Sequence, residues 1–335
     1  MISAARIAQF RLFSGKALVA ILTVLVTAMA VTLLPAATGD NIADHVLGQQ
    51  DFLHGSPNTV DGVSLNTPNF LAVDRAGHHL YLSDTMNNRV LGWHNISSFT
   101  NGEPADLVLG QADFFSNLKN LNGGPNTNSV NFNAPTGVAV DSNGNLYVAD
   151  SQNDRVLEYN APYAACASLP CVGHAPNVVF GQLGDFFGAG CNLGGSTVAA
   201  SADTLCGPTG IALDAHDNLY VADTTNSRVL EFNTPLATTA VPGSGDTTAD
   251  FVFGQGSAGT DFTDIKCNGN GSLGSASANF SCNPEAIAVD SSGNVFISDT
   301  SNSRVLEYNQ PGTPPTNAAP NLVLGQANFT GSSCT

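Results

Sequence analysis

The sequence predicts an all-β chain folded as a β-propeller of four-stranded antiparallel blades. Two observations carry that prediction. A pattern that is clearest from Asn133 to Asn160, NAPTGVAVDSNGNLYVADSQNDRVLEYN, returns in variant form from Thr67, Gly207 and Asn283. A second, shorter segment follows each copy after a loop, as in DLVLGQADF at Asp106, and it also appears once ahead of the first copy, as HVLGQQDF at His45. Sustained repetition of one supersecondary unit fixes an architecture before any single residue is interpreted. Four antiparallel strands repeated about an axis leave only short, protected edges, which is the propeller arrangement.

Each unit divides into strands by its turn residues. In the clearest copy Thr136 to Val140 is strand a, and Asp141 to Asn145 is a tight turn in which glycine supplies the positive φ. Leu146 to Ala149 is strand b, Asp150 to Asp154 turns again, and Arg155 to Tyr159 is strand c. Asn177 to Gln182 is strand d. Apolar residues alternate with polar ones along these segments, the period of a half-buried strand.

The residues PTGVAVDSNGNLYVADSQNDRVLEYN resemble an NHL repeat, and the resemblance extends over residues 43–329. It implies a β-propeller and leaves function open, because propellers of this family include scaffolds, receptor sensor domains, RNA-binding modules and a lyase. This chain departs from the family in length. Its repeating arginines stand 66, 73 and 76 residues apart, longer than the ordinary unit, and the excess lies mainly in the loop after each LGQxDF segment.

Residues 1–39 are a separate object. Arg6, Arg11 and Lys16 precede an uncharged run from Ala17 to Leu34, then Pro35-Ala36-Ala37. This is the pattern of an export signal, with an apolar run long enough to serve instead as an uncleaved membrane anchor. Either way the remainder is expected outside the cytoplasm, secreted or held at a membrane. The order of segments is one d strand and then four abcd units, with 330–335 reading as the start of a further repeat. The preferred expectation is a piece of a five- or six-bladed propeller. A four-bladed ring with an extra edge strand, and an open arc completed by another chain, are the alternatives.

Cysteine placement agrees with export. Cys191 and Cys206 are 15 residues apart in the loop before the third unit, and Cys267 and Cys282 repeat that spacing before the fourth. Two loop-stapling disulfides are expected, with a third between Cys166 and Cys171 and with Cys334 left over. A zinc site is disfavoured by the absence of CxxC spacing and of a nearby histidine pair.

Charge excludes one class of function. Of ten lysines and arginines, three lie in the first 39 residues, and seven then face 27 carboxylates. Nucleic-acid phosphates need clustered cations, so no nucleic-acid partner is expected. The pairs Asp84 and Arg89, Asp150 and Arg155, Asp223 and Arg228, and Asp299 and Arg304 recur once per unit. Such recurrence reads as a carboxylate capping a turn and pairing with the following arginine, rather than as a ligand site. The DxxGN turns at Asp141 and Asp290 lack the further acidic ligands of a calcium loop, so no cofactor is assigned and calcium alone is left open.

Positions where the copies disagree carry more functional information. At the start of strand a they offer Asn69, Thr136, Thr209 and Glu285, expected at the mouth of the central channel on the face of the stapled loops. No catalytic residue is assigned: the seven histidines fall in turns and loop entries, and neither a GxSxG elbow nor a Cys–His pair is present. The reading is an extracytoplasmic scaffold binding a protein, peptide or glycan. A metal-dependent propeller enzyme of lactonase or lyase type, and the sensor part of a larger membrane protein, are the alternatives.

Overall fold

A computed structural model describes residues 43–53, 55, 59–74, 76–121, 130–172, 174–194, 199–236, 247–256, 258–271, 276–309 and 319–332. The export-type segment 1–39 and Cys334 lie outside the described residues. Residues His45–Thr335 form one unit by contact, and Met1–Asp44 the other.

Four antiparallel sheets follow one another along the chain. The first contains β1 (Pro68–Asp74), β2 (His79–Asp84), β3 (Arg89–Trp93) and β4 (Leu107–Leu109). The second contains β5 (Pro135–Val140), β6 (Leu146–Asp150), β7 (Arg155–Tyr159) and β9 (Val178–Phe180). The third is β10 (Pro208–Leu213), β11 (Leu219–Asp223), β12 (Arg228–Phe232) and β13 (Phe251–Phe253). The fourth is β14 (Pro284–Val289), β15 (Val295–Asp299), β16 (Arg304–Tyr308) and β17 (Leu322–Leu324). These are blades 1 to 4, each in the strand order a–b–c–d expected from the repeat.

The repeat dictates this local structure. Every strand a carries a register shift after its first proline, between Pro135 and Val138 in blade 2, for example. The bulge lets proline, which has no N–H to give a ladder, open the strand. The a-to-b turn needs a residue at positive φ. Blades 2 and 4 use Gly144 (φ 83°) and Gly293 (φ 82°), blade 1 uses His78 and blade 3 Asp217. Each b-to-c turn is one 3₁₀ turn closed by a left-handed residue: Asn88, Asp154, Ser227 or Ser303.

Apolar faces of successive blades pack together. Tyr81, Val90 and Leu107 of blade 1 meet Val138, Leu146 and Val148 of blade 2. Tyr147, Val156 and Phe180 meet Ile211, Leu219 and Val221 of blade 3, and Tyr220, Val229 and Phe253 meet Val295 and Ile297 of blade 4. The innermost strands pack in chain order, β1 on β5, β5 on β10 and β10 on β14, with no comparable packing of β14 on β1 among the described residues. Exposed apolar side chains mark both ends: Leu71 (63%) on blade 1, Leu322 (46%) and Leu324 (45%) on blade 4.

Two features differ from the sequence expectation. The first sheet has a fifth strand, β8 (Cys171–Val172), which comes from the c-to-d loop of blade 2 and pairs in parallel with β4. The expected extra strand near His45 forms a single bridge, Gly48 to Ser64, rather than a ladder. A d strand pairs with its own strand c, and no described strand occupies that place beside residues 46–48. Among the described residues no helix is long and apolar enough to cross a membrane.

Candidate functional site

The recurring Asp–Arg pairs are interior. Arg155 and Asp150 are both fully buried, and Arg155 Nε donates to Asp150 Oδ2 at 2.8 Å. Asn153 Nδ2 donates to the same oxygen, and the backbone N–H of Asn133 donates to Asp150 Oδ1 at 2.7 Å. The guanidinium also ties the loop on either side of the blade, donating to the carbonyls of Phe186 and Asn131. The equivalent bonds of Arg89, Arg228 and Arg304 follow the same plan. This is wiring for a blade and its loops, with no face left for an external anion.

Among the described residues three disulfides are present: Cys166–Cys171, Cys191–Cys206 and Cys267–Cys282. His174 Nε2 lies 2.8 Å from Cys171 Sγ and 3.4 Å from Cys166 Sγ. That trio would offer three ligands to a soft metal only with both sulfurs reduced.

The four positions expected at the channel mouth divide into two kinds. Thr136 Oγ1 donates to the carbonyl of Thr209 at 2.9 Å and meets Ser151 Oγ at 2.5 Å. Thr209 Oγ1 does the same one blade later, with the Glu285 carbonyl at 2.9 Å and Thr224 Oγ1 at 2.6 Å. Both hydroxyls therefore join neighbouring blades. Asn69 and Glu285 are exposed, on the two end blades.

Among the described residues, cavities open instead at the opposite, a-to-b face. One of about 320 Å3 is lined by Asp74, Asp141, Asp214 and Asp217 among others, and burial, with the charge of Asp217 as a lesser cause, raises the pKa of Asp141. A cavity of about 220 Å3 between blades 1 and 2 is of a different character, being lined by His79, Tyr81 and Tyr163. It exists because blade 1 breaks the repeat twice.

The first break is His79. In blades 2, 3 and 4 an asparagine side chain closes the a-to-b turn on its leading aspartate, as Asn145 does on Asp141 at 2.8 Å. Blade 1 has one more residue in this turn and places His79 there, with Nδ1 2.9 Å from Asp74 Oδ2. A carboxylate only accepts, so Nδ1 carries a proton, and Nε2 is an acceptor when the ring is neutral. The second break is Gly92. The residue facing the aromatic of strand b is Glu158, Glu231 or Glu307 elsewhere, and Gly92 faces Tyr81. A Cβ at Gly92 would come within 2.7 Å of the Tyr163 hydroxyl. Glycine thus admits Tyr163, which stacks on His79 with ring centroids 4.3 Å apart and donates to Asp106 Oδ1 at 2.7 Å. Asp106 Oδ2 meets His94 Nδ1. Burial first, then the bond to Asp106, pushes the Tyr163 phenol well above the usual tyrosine range, so it stays protonated.

The cavity therefore offers the His79 imidazole beside two flat phenol rings, with the Asp74 carboxylate fixing the ring through Nδ1–H. Sequence reading placed the histidines in turns and missed this group. The signal was available as a disagreement between copies, Gly92 against three glutamates and His79 against three asparagines.

A set of twisted four-stranded blades packed face to face about their first strands defines the β-propeller class. Within that class the chain carries NHL repeats: the NHL repeat family model matches residues 132–159, 205–232 and 282–308. These are the a–b–c units of blades 2, 3 and 4. No curated protein matches the chain. Among solved structures it is similar to a chain of a nidogen/laminin complex (17% identity, TM-score 0.39, covering 76% of this chain and 64% of that one). It is similar to a protein from Lactobacillus plantarum (13%, TM-score 0.43, 80% and 59%) and to an auxiliary nutrient binding protein from Bacteroides ovatus (12%, TM-score 0.42, 73% and 48%). The chain spans less than two thirds of the length of each.

Proposed function

We propose that this protein is an extracytoplasmic binding scaffold whose ligand, a peptide or glycan free or borne on a protein, is seated between blades 1 and 2. The observation that carries the reading is the cavity at His79 and Tyr163, where the repeat gives up a buried glutamate and a turn asparagine in favour of an aromatic, acceptor-bearing recess. Aromatic faces cover apolar CH or ring surface while one acceptor fixes orientation, the usual division of labour in a small-ligand site. Three disulfides support a location outside the reducing cytoplasm.

The test is equilibrium binding to glycan and peptide arrays, followed by affinity measurement on any hit. Gly92→Glu, which puts a side chain where Tyr163 now enters, is expected to weaken binding at least about tenfold, the scale of one lost anchor contact. His79→Ala is expected to do the same, while Asn69→Ala and Glu285→Ala leave affinity unchanged. The reverse pattern would place the ligand on the stapled-loop face and overturn the proposed seat.

A further inference from the structure

The Cys166–Cys171 disulfide differs from the other two in what surrounds it. Cys191–Cys206 and Cys267–Cys282 each join cysteines 15 residues apart and end at the aspartate of a buried ion pair. Cys166–Cys171 joins cysteines 5 residues apart, within the c-to-d loop of blade 2, and lies against a histidine. His174 Nε2 is 2.8 Å from Cys171 Sγ and 3.4 Å from Cys166 Sγ, so one ring nitrogen faces both sulfurs. The three ligand atoms lie within 4.8 Å of one another, and no other such trio of histidine, cysteine, aspartate or glutamate side chains occurs among the described residues. Sequence spacing predicts no metal site, having neither CxxC nor a histidine pair. The fold of the loop gathers a CxxxxCxxH set instead.

The backbone holds these sulfurs in place without help from the bond between them. The Ala164 N–H donates to the Ala161 carbonyl at 2.8 Å and the Cys166 N–H to the Tyr163 carbonyl at 3.2 Å, which fixes the turn ahead of Cys166. Tyr163 is itself anchored, its hydroxyl on Asp106 Oδ1 at 2.7 Å. On the other side the Cys171 N–H donates to the Asp106 carbonyl at 2.7 Å, and β8 pairs with β4. Cys171 is buried, while Cys166 is half-buried between exposed residues 164–165 and 167–170, so a small solute reaches the pair from the Cys166 side. A ligand set held by its surroundings loses less entropy on binding a metal than one that must be collected.

We propose that the dithiol form of this loop is a soft-metal site, in which the Cys166 and Cys171 thiolates and His174 Nε2 bind one Zn2+ or Cu+ ion. Disulfide and metal thiolate are alternative states of the one site. A small thiol converts the first into the second. Its thiolate attacks Cys166 Sγ, the S–S bond breaks, and Cys171 leaves as a thiolate beside His174. A second thiol molecule attacks the mixed disulfide and releases the oxidised thiol and the Cys166 thiolate. Two electrons and two protons pass to the cysteines, and the metal ion displaces the protons. Thiolate and imidazole ligands select soft or borderline cations over Ca2+ and Mg2+, which take oxygen. Three protein ligands leave Zn2+ one open position. The site is independent of the ligand proposed above, since none of its three side chains lines the recess at His79.

The test uses the whole chain, reduced with glutathione and kept free of oxygen. Zn2+, Cu+ or Ca2+ is added, then iodoacetamide, and the labelling of each cysteine is followed by mass spectrometry. Reading cysteine by cysteine separates this loop from the others that the same thiol frees. Zn2+ or Cu+ is expected to slow labelling of Cys166 and Cys171 together at least about tenfold, and Ca2+ to leave it unchanged. Which of the two ions protects at the lower concentration identifies the metal. His174→Ala is expected to raise the concentration needed at least about tenfold. Unchanged labelling of Cys166 and Cys171 with both soft ions would overturn the proposal, and that reading needs no variant. Protection that survives His174→Ala unaltered would also overturn it, as would a Cys166–Cys171 bridge that resists the thiol in the folded chain.

Discussion

Arg155 shows how one side chain can hold a blade. Its guanidinium is fully buried, its charge is matched by Asp150, and its outer nitrogens serve the carbonyls of two loops that enter and leave the blade. Removing one member of such a set strands the other in a dry interior. Arg155→Met and Arg228→Met are each expected to cost about 3–5 kcal/mol, read as a lowered urea midpoint, where an exposed ion pair would cost under about 1 kcal/mol. These pairs were legible in the sequence as structural because they recur once per unit. Glu158 and Glu231 were not. They look like solvated residues on an alternating strand, yet the next blade buries both, with neither Glu158 oxygen hydrogen-bonded among the described residues. Burial pushes each pKa up to about 8, with the charge of Asp141 adding for Glu158. For Glu231 the Tyr220 hydroxyl opposes the shift and Asp214 and Asp250 add to it. The folded chain thus holds protons that the unfolded chain has released. Stability is expected to fall as pH rises from the ordinary carboxylate range through about 8, by a few kcal/mol for each glutamate. Glu158→Gln with Glu231→Gln should flatten that slope and raise Tm at pH 8, measured by thermal melts across pH 5 to pH 9.

At the scale of elements, the disulfides and the hydroxyl contacts do different work. The Cys191–Cys206 and Cys267–Cys282 bridges close loops of equal length, and each second cysteine gives its N–H to the aspartate of an ion pair, Cys206 to Asp223 and Cys282 to Asp299. The staple therefore ends at the blade's own turn. Cys191→Ser with Cys206→Ser is expected to lower stability by about 3 kcal/mol in the chain-entropy account, with the loss read in chemical denaturation under non-reducing conditions. Thr85→Val removes one hydroxyl that bridges two blades and should cost about 1 kcal/mol. The spacing of cysteines made the staples readable in advance. Strand β8 was not readable, because Cys171 and Val172 pair with Leu107 and Val108 across more than sixty residues of sequence and in parallel, where no local pattern marks a partner. The cavity left a sequence trace in the disagreements at His79 and Gly92, but the part played by Tyr163 was not readable. His79, Gly92 and Tyr163 belong to three separate elements that meet only after blades 1 and 2 pack.

For the whole molecule, the governing fact is that each blade finishes the burial of the one before it. Blade 4 carries the same apolar pattern as blades 2 and 3 and leaves it in solvent. The 335-residue chain is accordingly expected to bind an apolar fluorescent dye, and Leu322→Asp with Leu324→Asp to lower that fluorescence by about half or more. The acidic balance, formal net charge −17, acts at this scale too, since a net charge of one sign favours solubility and opposes contact with phosphates without setting the fold.

Sequence by itself determined the strands, their turns, the blade order and the loop staples, because each depends on residues within one repeat and the repeat states its rule four times. Tertiary structure decided what each blade does with its neighbours. It buried two glutamates, bonded the Thr136 and Thr209 hydroxyls to carbonyls of the next blade, opened a cavity at His79, and left the faces of blades 1 and 4 unequal to the rest. Those outcomes depend on which surfaces meet, and surfaces that meet across blades are set by packing between distant segments, which no single copy of the repeat encodes.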